Sequence, residues 1–347
     1  MGRRKSKVTV QDIAQKANIS TATVSRAFNG TGIVKPETYQ LIMETAKELG
    51  YVFKPFKAPL EAPPPAENQK KNSRKLILVH VTMMSNPFYS EIIKGIESSA
   101  KNNNFEFLLY SEEITPATVD SFLELVSALG ISGLITLYLS SVSLLQKITE
   151  FIPVVQCCEC TENPYASSVG INDYAATQCA MDYFLSMGKN RIGFINGPLS
   201  YKYSQARLKA FRSIMQTYNI DIPAHWIIQL PDLNYDMAFS SIVKVLSMPD
   251  APDCFFAVSD VLAAAAIRAA QYYALRVPED ILVIGFDNTI VSQLTTPSIT
   301  TISQPQFQLG FLAGELMFEK ISNPLSEVKH MKLNTELIIR ESTSSTI

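Results

Sequence analysis

The chain has 347 residues, 47% hydrophobic and 18% charged, which is too apolar for a disordered protein and too long for one ordinary domain. Its net charge of −2 hides a split, because residues 1–57 hold ten Lys/Arg against four Asp/Glu and the remainder 20 against 28. A basic head on an acidic body points to a nucleic-acid-binding module joined to a domain with a different task.

In chain order, Thr9-Val10-Gln11-Asp12 has the form of a capping box opening a helix, with Ile13, Ala14 and Ala17 as its apolar stripe. Asn18 and Ile19 make a tight turn, since Asn tolerates the left-handed conformation such a turn needs. Ser20 is placed to cap a second helix, Thr21 to Phe28. A third begins near Pro36, turns Leu41, Ile42, Ala46 and Leu49 inward, and stops at Gly50. From Lys54 to Arg74 the periodicity collapses into prolines followed by a polar run, the composition of a linker.

From Lys75 onward, continuous apolar runs alternate with helical stretches. Strands are expected at Leu76–Val81, Phe105–Tyr110, Gly133–Leu137, Val154–Cys157, Ile192–Ile195, Phe255–Val258 and Ile281–Phe286. Runs without alternation fit parallel strands covered on both faces. Helices such as Tyr89–Lys101, Tyr174–Met187 and Leu262–Tyr273 fall between them, so repeated strand–helix units predict a doubly wound α/β architecture.

The string Val8-Thr9-Val10-Gln11-Asp12-Ile13-Ala14 … Ile19-Ser20-Thr21-Ala22-Thr23-Val24-Ser25-Arg26-Ala27-Phe28-Asn29-Gly30 resembles the DNA-binding head of the lac repressor (LacI/GalR) family. That resemblance implies a helix-turn-helix whose second helix enters the major groove. It places Thr21, Ala22 and Arg26 at base-reading positions, with Arg26 able to donate two hydrogen bonds to guanine. Ser20, Thr23, Ser25, Asn29 and Lys35 match positions that bond phosphates. Family members carry a leucine after the head that wedges into the minor groove. Leu60 is its match by count, but Pro59 and Pro63 leave room for one helical turn at most, so Phe56 or a plain spacer stand as alternatives.

The body carries the resemblance too, through Asn86-Pro87-Phe88-Tyr89, Gly285-Phe286-Asp287-Asn288 and Thr301-Ile302-Ser303-Gln304-Pro305. It implies an all-α head plus a two-lobed α/β effector domain of the periplasmic-binding-protein kind, with doubly wound parallel sheets. The expected organisation is a head at 1–57, a Pro-rich linker at 58–74, and a body at 75–347. Its lobe seam lies near 169–173 and the chain crosses back near 296–340. By the same resemblance Pro87, Phe88, Arg207, Tyr235 and Asp287 line the effector site, a set suited to a polyhydroxylated ligand such as a sugar or sugar derivative. Cys158 and Ser259, near which the family often has polar groups, leave a more apolar effector open. By residue type alone, Arg207 also fits a helix surface, Tyr235 a core, and Asp260 and Asp287 the caps of turns, the commoner role for Asp260.

Other functions find less support. No apolar run approaches the roughly 18 residues of a membrane span. The basic Met1–Lys7 start leads into no apolar signal core, which opposes a secreted solute receptor. Five cysteines, three at Cys157, Cys158 and Cys160, make no disulfide framework and lack the partners of a zinc site. His80, His225 and His330 are scattered, and no Gly-rich phosphate loop or nucleophile elbow occurs, so neither cofactor, metal nor enzymatic activity is expected. The expectation is a cytoplasmic homodimeric regulator, more a repressor than an activator, binding double-stranded operator DNA under the control of a small effector. A protein co-effector, a solute receptor and an enzyme on the same fold are the rivals.

Overall fold

The computed structural model describes residues 9–29, 36–49, 51, 75–139, 141–161 and 163–344. The chain divides into two compact units between Ser73 and Arg74.

The first unit is a three-helix cluster of α1 (Val10–Ala17), α2 (Thr21–Asn29) and α3 (Pro36–Glu48). The capping box forms at its start: Asp12 accepts from the Thr9 N–H at 2.7 Å, and Thr9 Oγ1 accepts from the Asp12 N–H at 3.4 Å. Asn18 adopts φ 55°, which ends α1 and lets the Ile19 N–H reach the Ala14 carbonyl at 3.0 Å. Ile13, Ala14, Val24, Ala27, Ile42 and Ala46 form the core. Burying Ile13 and Ile42 fully contributes about 1.5–3 kcal/mol each, and the alanines let the helices approach closely.

The second unit holds the remaining elements. In chain order they are β1 (Lys75–His80), α4 (Phe88–Asn102), β2 (Phe105–Tyr110), α5 (Val119–Leu129), β3 (Ile131–Thr136), α6 (Val142–Thr149), β4 (Val154–Cys157) and β5 (Ser167–Ile171). Then come α7 (Asp173–Ser186), β6 (Ile192–Asn196), α8 (Lys202–Thr217), β7 (Ile227–Gln229), α9 (Tyr235–Leu246), β8 (Cys254–Ala257), α10 (Asp260–Tyr272) and β9 (Leu282–Asp287). The chain closes with α11 (Val291–Leu294), β10 (Thr300–Ser303), α12 (Gln306–Ser322), β11 (His330–Leu333) and β12 (Glu336–Ile338).

Two six-stranded sheets result, ordered β11-β5-β4-β3-β1-β2 and β12-β10-β9-β8-β6-β7. The first is wholly parallel; in the second, the edge strand β12 runs antiparallel to β10. Central strands such as β6 and β9 are buried along their whole length, the reason they read as unbroken apolar runs.

The chain passes between lobes three times. Asn172 joins β5 of the first sheet to α7, which packs on the second; Gln304-Pro305 joins β10 to α12, which packs on β3–β5; and Asn334-Thr335 joins β11 to β12. In the first lobe α4 and α12 cross at very short range. A Cβ on Gly95 would collide with the Phe307 carbonyl, and one on Gly310 with the Ile92 carbonyl. These glycines are required by close backbone approach. Among the described residues no helix is long and apolar enough to cross a membrane.

Candidate functional site

In the head, Ser20 caps α2 by accepting the Thr23 N–H at 3.1 Å, and the Ser20 and Thr23 hydroxyls lie 2.7 Å apart. Thr21 is exposed on the first turn. Positions 22, 26 and 29 fall by helical register opposite the buried Val24 and Ala27. Ala22, Arg26 and Asn29 are described as residues of α2 by backbone alone, whereas Ser25 is half-buried. Lys35, Phe56 and Leu60 lie outside the described residues.

In the body, a cavity of about 40 Å³ lies between the lobes, lined from the first by Phe88, Tyr89, Cys158 and Glu159 and from the second by Asp173, Tyr203, Arg207 and Asp287. An outer groove of about 610 Å³ opens beside it, lined by residues including Met83, Pro87, Leu233 and Ser259. The inner space is far below the roughly 300–1,000 Å³ of ordinary ligand pockets, and the lobes are drawn together beside it, where the ring centroids of Tyr138 and Tyr201 lie 4.7 Å apart.

Arg207 organises the cavity. It projects from α8 and is only 4% exposed, which rules out the helix-surface reading. Its Nε donates to Asp173 Oδ1 at 2.8 Å and its Nη1 to the Val258 carbonyl at 2.8 Å. The guanidinium lies 3.4 Å from the Phe286 ring centroid and 4.8 Å from that of Tyr203. A charge this buried is tolerable only because a carboxylate, a carbonyl and two π faces surround it.

Asp287 ends β9 with φ 102°, a left-handed value that a side chain adopts only when its surroundings impose it. Gln304 donates to its Oδ1 at 2.7 Å and Gln306 to its carbonyl at 2.6 Å, which fixes that conformation. Burial pushes the Asp287 carboxyl up to about 6, although the Arg207 charge and the Gln304 amide pull the other way. Asp287 therefore titrates near neutrality, facing space that a ligand would fill.

Asp260 has a structural part. Its Oδ2 accepts from the Thr289 N–H at 2.6 Å and hydroxyl at 2.9 Å, and its Oδ1 from the Thr301 hydroxyl at 2.6 Å. It ties the turn after β9 to β10, whereas the cap of its own helix is Ser259. Burial pushes it up to about 7, with the Asp287 charge adding to the effect.

Glu159 reaches from the first lobe to the second. Its carboxylate accepts the N–H groups of Lys202 at 2.8 Å and Tyr203 at 3.1 Å, the opening residues of α8, whose own N-cap, Tyr201, makes no side-chain bond. This supplies a helix cap across the cleft. Beside it, Cys158 is held above the usual thiol range by its interaction with Cys157 and by burial, so it presents a neutral thiol. The sulfurs of Cys157 and Cys158 are 3.6 Å apart.

The sequence-based set is thus partly reassembled. Phe88, Arg207 and Asp287 meet at the inner cavity, and Pro87 lies on the outer groove. Tyr235 does not join them. It is 38% exposed on the first turn of α9, and Leu233, two residues earlier, faces the cleft instead. The aromatic cover comes from Phe88, Tyr89 and Tyr203, while Phe286 backs Arg207 from beneath. Asp173, Glu159, Tyr203 and Gln304 were missed. Asp173 stands at the expected seam after an N-cap Asn172, and Gln304 lies within the quoted Thr301–Pro305 string, so both had a signal; Glu159 had none.

Residues 9–53 match the model of bacterial regulatory proteins of the lacI family, and residues 181–343 that of a periplasmic binding protein-like domain. The HTH-type transcriptional repressor CytR of Escherichia coli strain K12 is 30% identical over 343 residues, 98% of each chain. An uncharacterized protein from Actinobacillus succinogenes is 35% identical with a TM-score of 0.70, over 78% of this chain and 99% of that one. A LacI family transcriptional regulator from Enterococcus faecium with bound ribose is 25% identical with a TM-score of 0.69, over 78% and 99%. With its capped helix-turn-helix, its paired parallel sheets and a relative of this likeness along nearly its whole length, the chain belongs to the lacI family of bacterial regulatory proteins, DNA-binding transcriptional regulators with a periplasmic-binding-protein-like body.

Proposed function

We propose that this regulator acts in the cytoplasm as a homodimeric repressor, without enzymatic activity, and that a small carbohydrate-related effector held between its lobes sets its operator affinity. The carrying observation is the Asp173–Arg207–Asp287 cluster, in which a buried cation, a buried carboxylate and a half-buried one stand at the seam between lobes beside aromatic rings. Such a set takes paired hydroxyls through its charges and an apolar sugar face through its rings. The ribose in the Enterococcus faecium relative supports this ligand class, and the name of the Escherichia coli relative supports repression.

In the head, Thr21, Ala22 and Arg26 read bases, while Ser20, Thr23, Ser25, Asn29 and Lys35 hold the phosphates. Leu60 is the residue assigned to the minor groove. Two heads related by a two-fold axis call for an inverted repeat with half-sites one helical turn or a multiple apart. An effector that binds one lobe arrangement better shifts operator affinity by no more than that preference, typically about 1–3 kcal/mol.

The test selects duplexes from a random pool with the full chain and then titrates pentoses, hexoses and nucleosides into the complex. An enriched inverted repeat and an operator affinity altered by a sugar-like compound are expected. Arg207→Lys, which keeps the charge but loses the fork and the stack, should abolish the response and leave DNA binding intact. A pool without an enriched repeat, or an unaltered response in that variant, would overturn the reading.

A further inference from the structure

A second cavity, of about 320 Å³, lies behind the wall formed by Cys158, Glu159 and Asp173. One side is a face of α8 in the second lobe, where Lys202, Ala206 and Lys209 recur at helical spacing. The other is the edge of the first sheet, where Lys332 on β11 stands in register with Gly170 on β5. Gly170 has no side chain to fill the floor, and a Cβ there would meet Cys160 Sγ at 3.2 Å.

The charges on this cavity do not balance. Its two carboxylates are engaged elsewhere: Glu159 accepts the N–H groups that open α8, and Asp173 holds Arg207. The His330 nitrogens lie 2.8 Å from Ser168 Oγ and 3.1 Å from the Asn163 carbonyl. Lys202, Lys209 and Lys332 are exposed and, among the described residues, form no ion pair. Three lysines from two lobes, without an ion-pair partner among the described residues, thus line one space of small-molecule size.

We propose that this rear cavity is an accessory anion site for a small phosphorylated compound, one carrying two or more phosphoryl charges. Multiple charge is required because each exposed ammonium contributes little singly, whereas three together hold a polyanion. The ligand would join Lys202 and Lys209 of one lobe to Lys332 of the other, so its binding favours the drawn-together arrangement that Glu159 also bridges. The site is separate from the effector cleft and stands on its own geometry, whatever that cleft holds.

Sodium pyrophosphate, with inorganic phosphate as the singly phosphorylated comparison, is titrated into the full chain by calorimetry, with ionic strength held constant by sodium chloride. One pyrophosphate per chain is expected, bound at least tenfold tighter than phosphate. The double variant Lys209→Ala/Lys332→Ala should weaken pyrophosphate at least tenfold, and Lys209→Arg/Lys332→Arg should stay within about threefold of the parent. Both replace exposed side chains, so their melting temperatures without ligand should match the parent's. An absence of pyrophosphate binding, or equal affinity in the alanine variant with the anion resting on the basic head, would overturn the proposal.

Discussion

Asp260→Asn isolates the cost of a buried carboxylate that this fold keeps near its titration point. Asp260 is 1% exposed, and its folded-state value of about 7 stands above the ordinary 3.8. Between those values the folded chain retains a proton that the unfolded chain has released. Stability from this group is therefore greatest at low pH and is lost as pH rises toward 7, the reverse of a salt-bridged aspartate. At about 1.4 kcal/mol per pH unit, the two units from pH 5 to pH 7 amount to roughly 2.5 kcal/mol.

Asparagine reproduces the protonated form. Its oxygen accepts from the Thr289 N–H and hydroxyl, and its amide donates to a rotated Thr301 hydroxyl. His80, pushed down to about 4 by burial, contributes in the opposite sense, losing stability as pH falls, but it does so equally in parent and variant and cancels in their difference. Denaturant unfolding followed by the chain's only tryptophan, the buried Trp226 in the same lobe, gives the comparison at pH 5, 7 and 8. The variant should gain on the parent by about 2–3 kcal/mol between pH 5 and pH 8. Parallel stability curves would refute the account of Asp260 as a group ionised at a cost.

Three further outcomes follow from other parts of the molecule. Glu159→Ala removes the cap supplied across the cleft to α8; a loss of about 1 kcal/mol for the closed arrangement should raise the radius of gyration in small-angle scattering, and unchanged scattering would count against the bridge. Gly310→Ala drives a Cβ into the Ile92 carbonyl, so α12 and α4 must separate; a loss of about 1–3 kcal/mol should appear as a lowered melting temperature, and an unshifted melt would contradict the close crossing. Arg26→Ala should cost about 1–3 kcal/mol of discrimination at one base pair, whereas Lys35→Ala should weaken all sequences alike and reduce the salt dependence; competition binding with single-substituted operators separates the two.

Much of this protein is legible along the chain because its signals are local. The Thr9–Asp12 capping box, the Asn18 turn and the Ile13-Ala14-Ala17 stripe each lie within one or two helical turns, and all three form as their spacing requires, whereas Leu41, expected inward on the third helix beside Ile42, is 46% exposed. The seven expected strands of the body all appear, with ends shifted by up to two residues, and all are largely buried except β2, which lies at the sheet edge with Leu108 and Leu109 exposed and so is not covered on both faces as expected. β5, β7, β10, β11 and β12 escaped because they are short, hydroxyl-rich or half-exposed; β10 reads Thr-Thr-Ile-Ser and β11 His-Met-Lys-Leu. Their strand character comes from the neighbours they pair with.

The cleft divides along the same line. Asp287 stands in a family-like string and Arg207 was placed by the resemblance of the body, yet their burial and their partners depend on which segments three lobe crossings bring together. Asp173 is 34 positions from the arginine it holds, and Glu159 is 43 from the helix end it caps. Tyr235 shows the limit most plainly, because it opens α9 38% exposed while Leu233, two residues earlier, lines the cleft. Periodicity and charge composition determined that there would be a basic helical head and a doubly wound α/β body, since burial period is written locally. Which charges face one another across the lobes was decided by tertiary packing alone, because that depends on distances the linear order of residues does not contain.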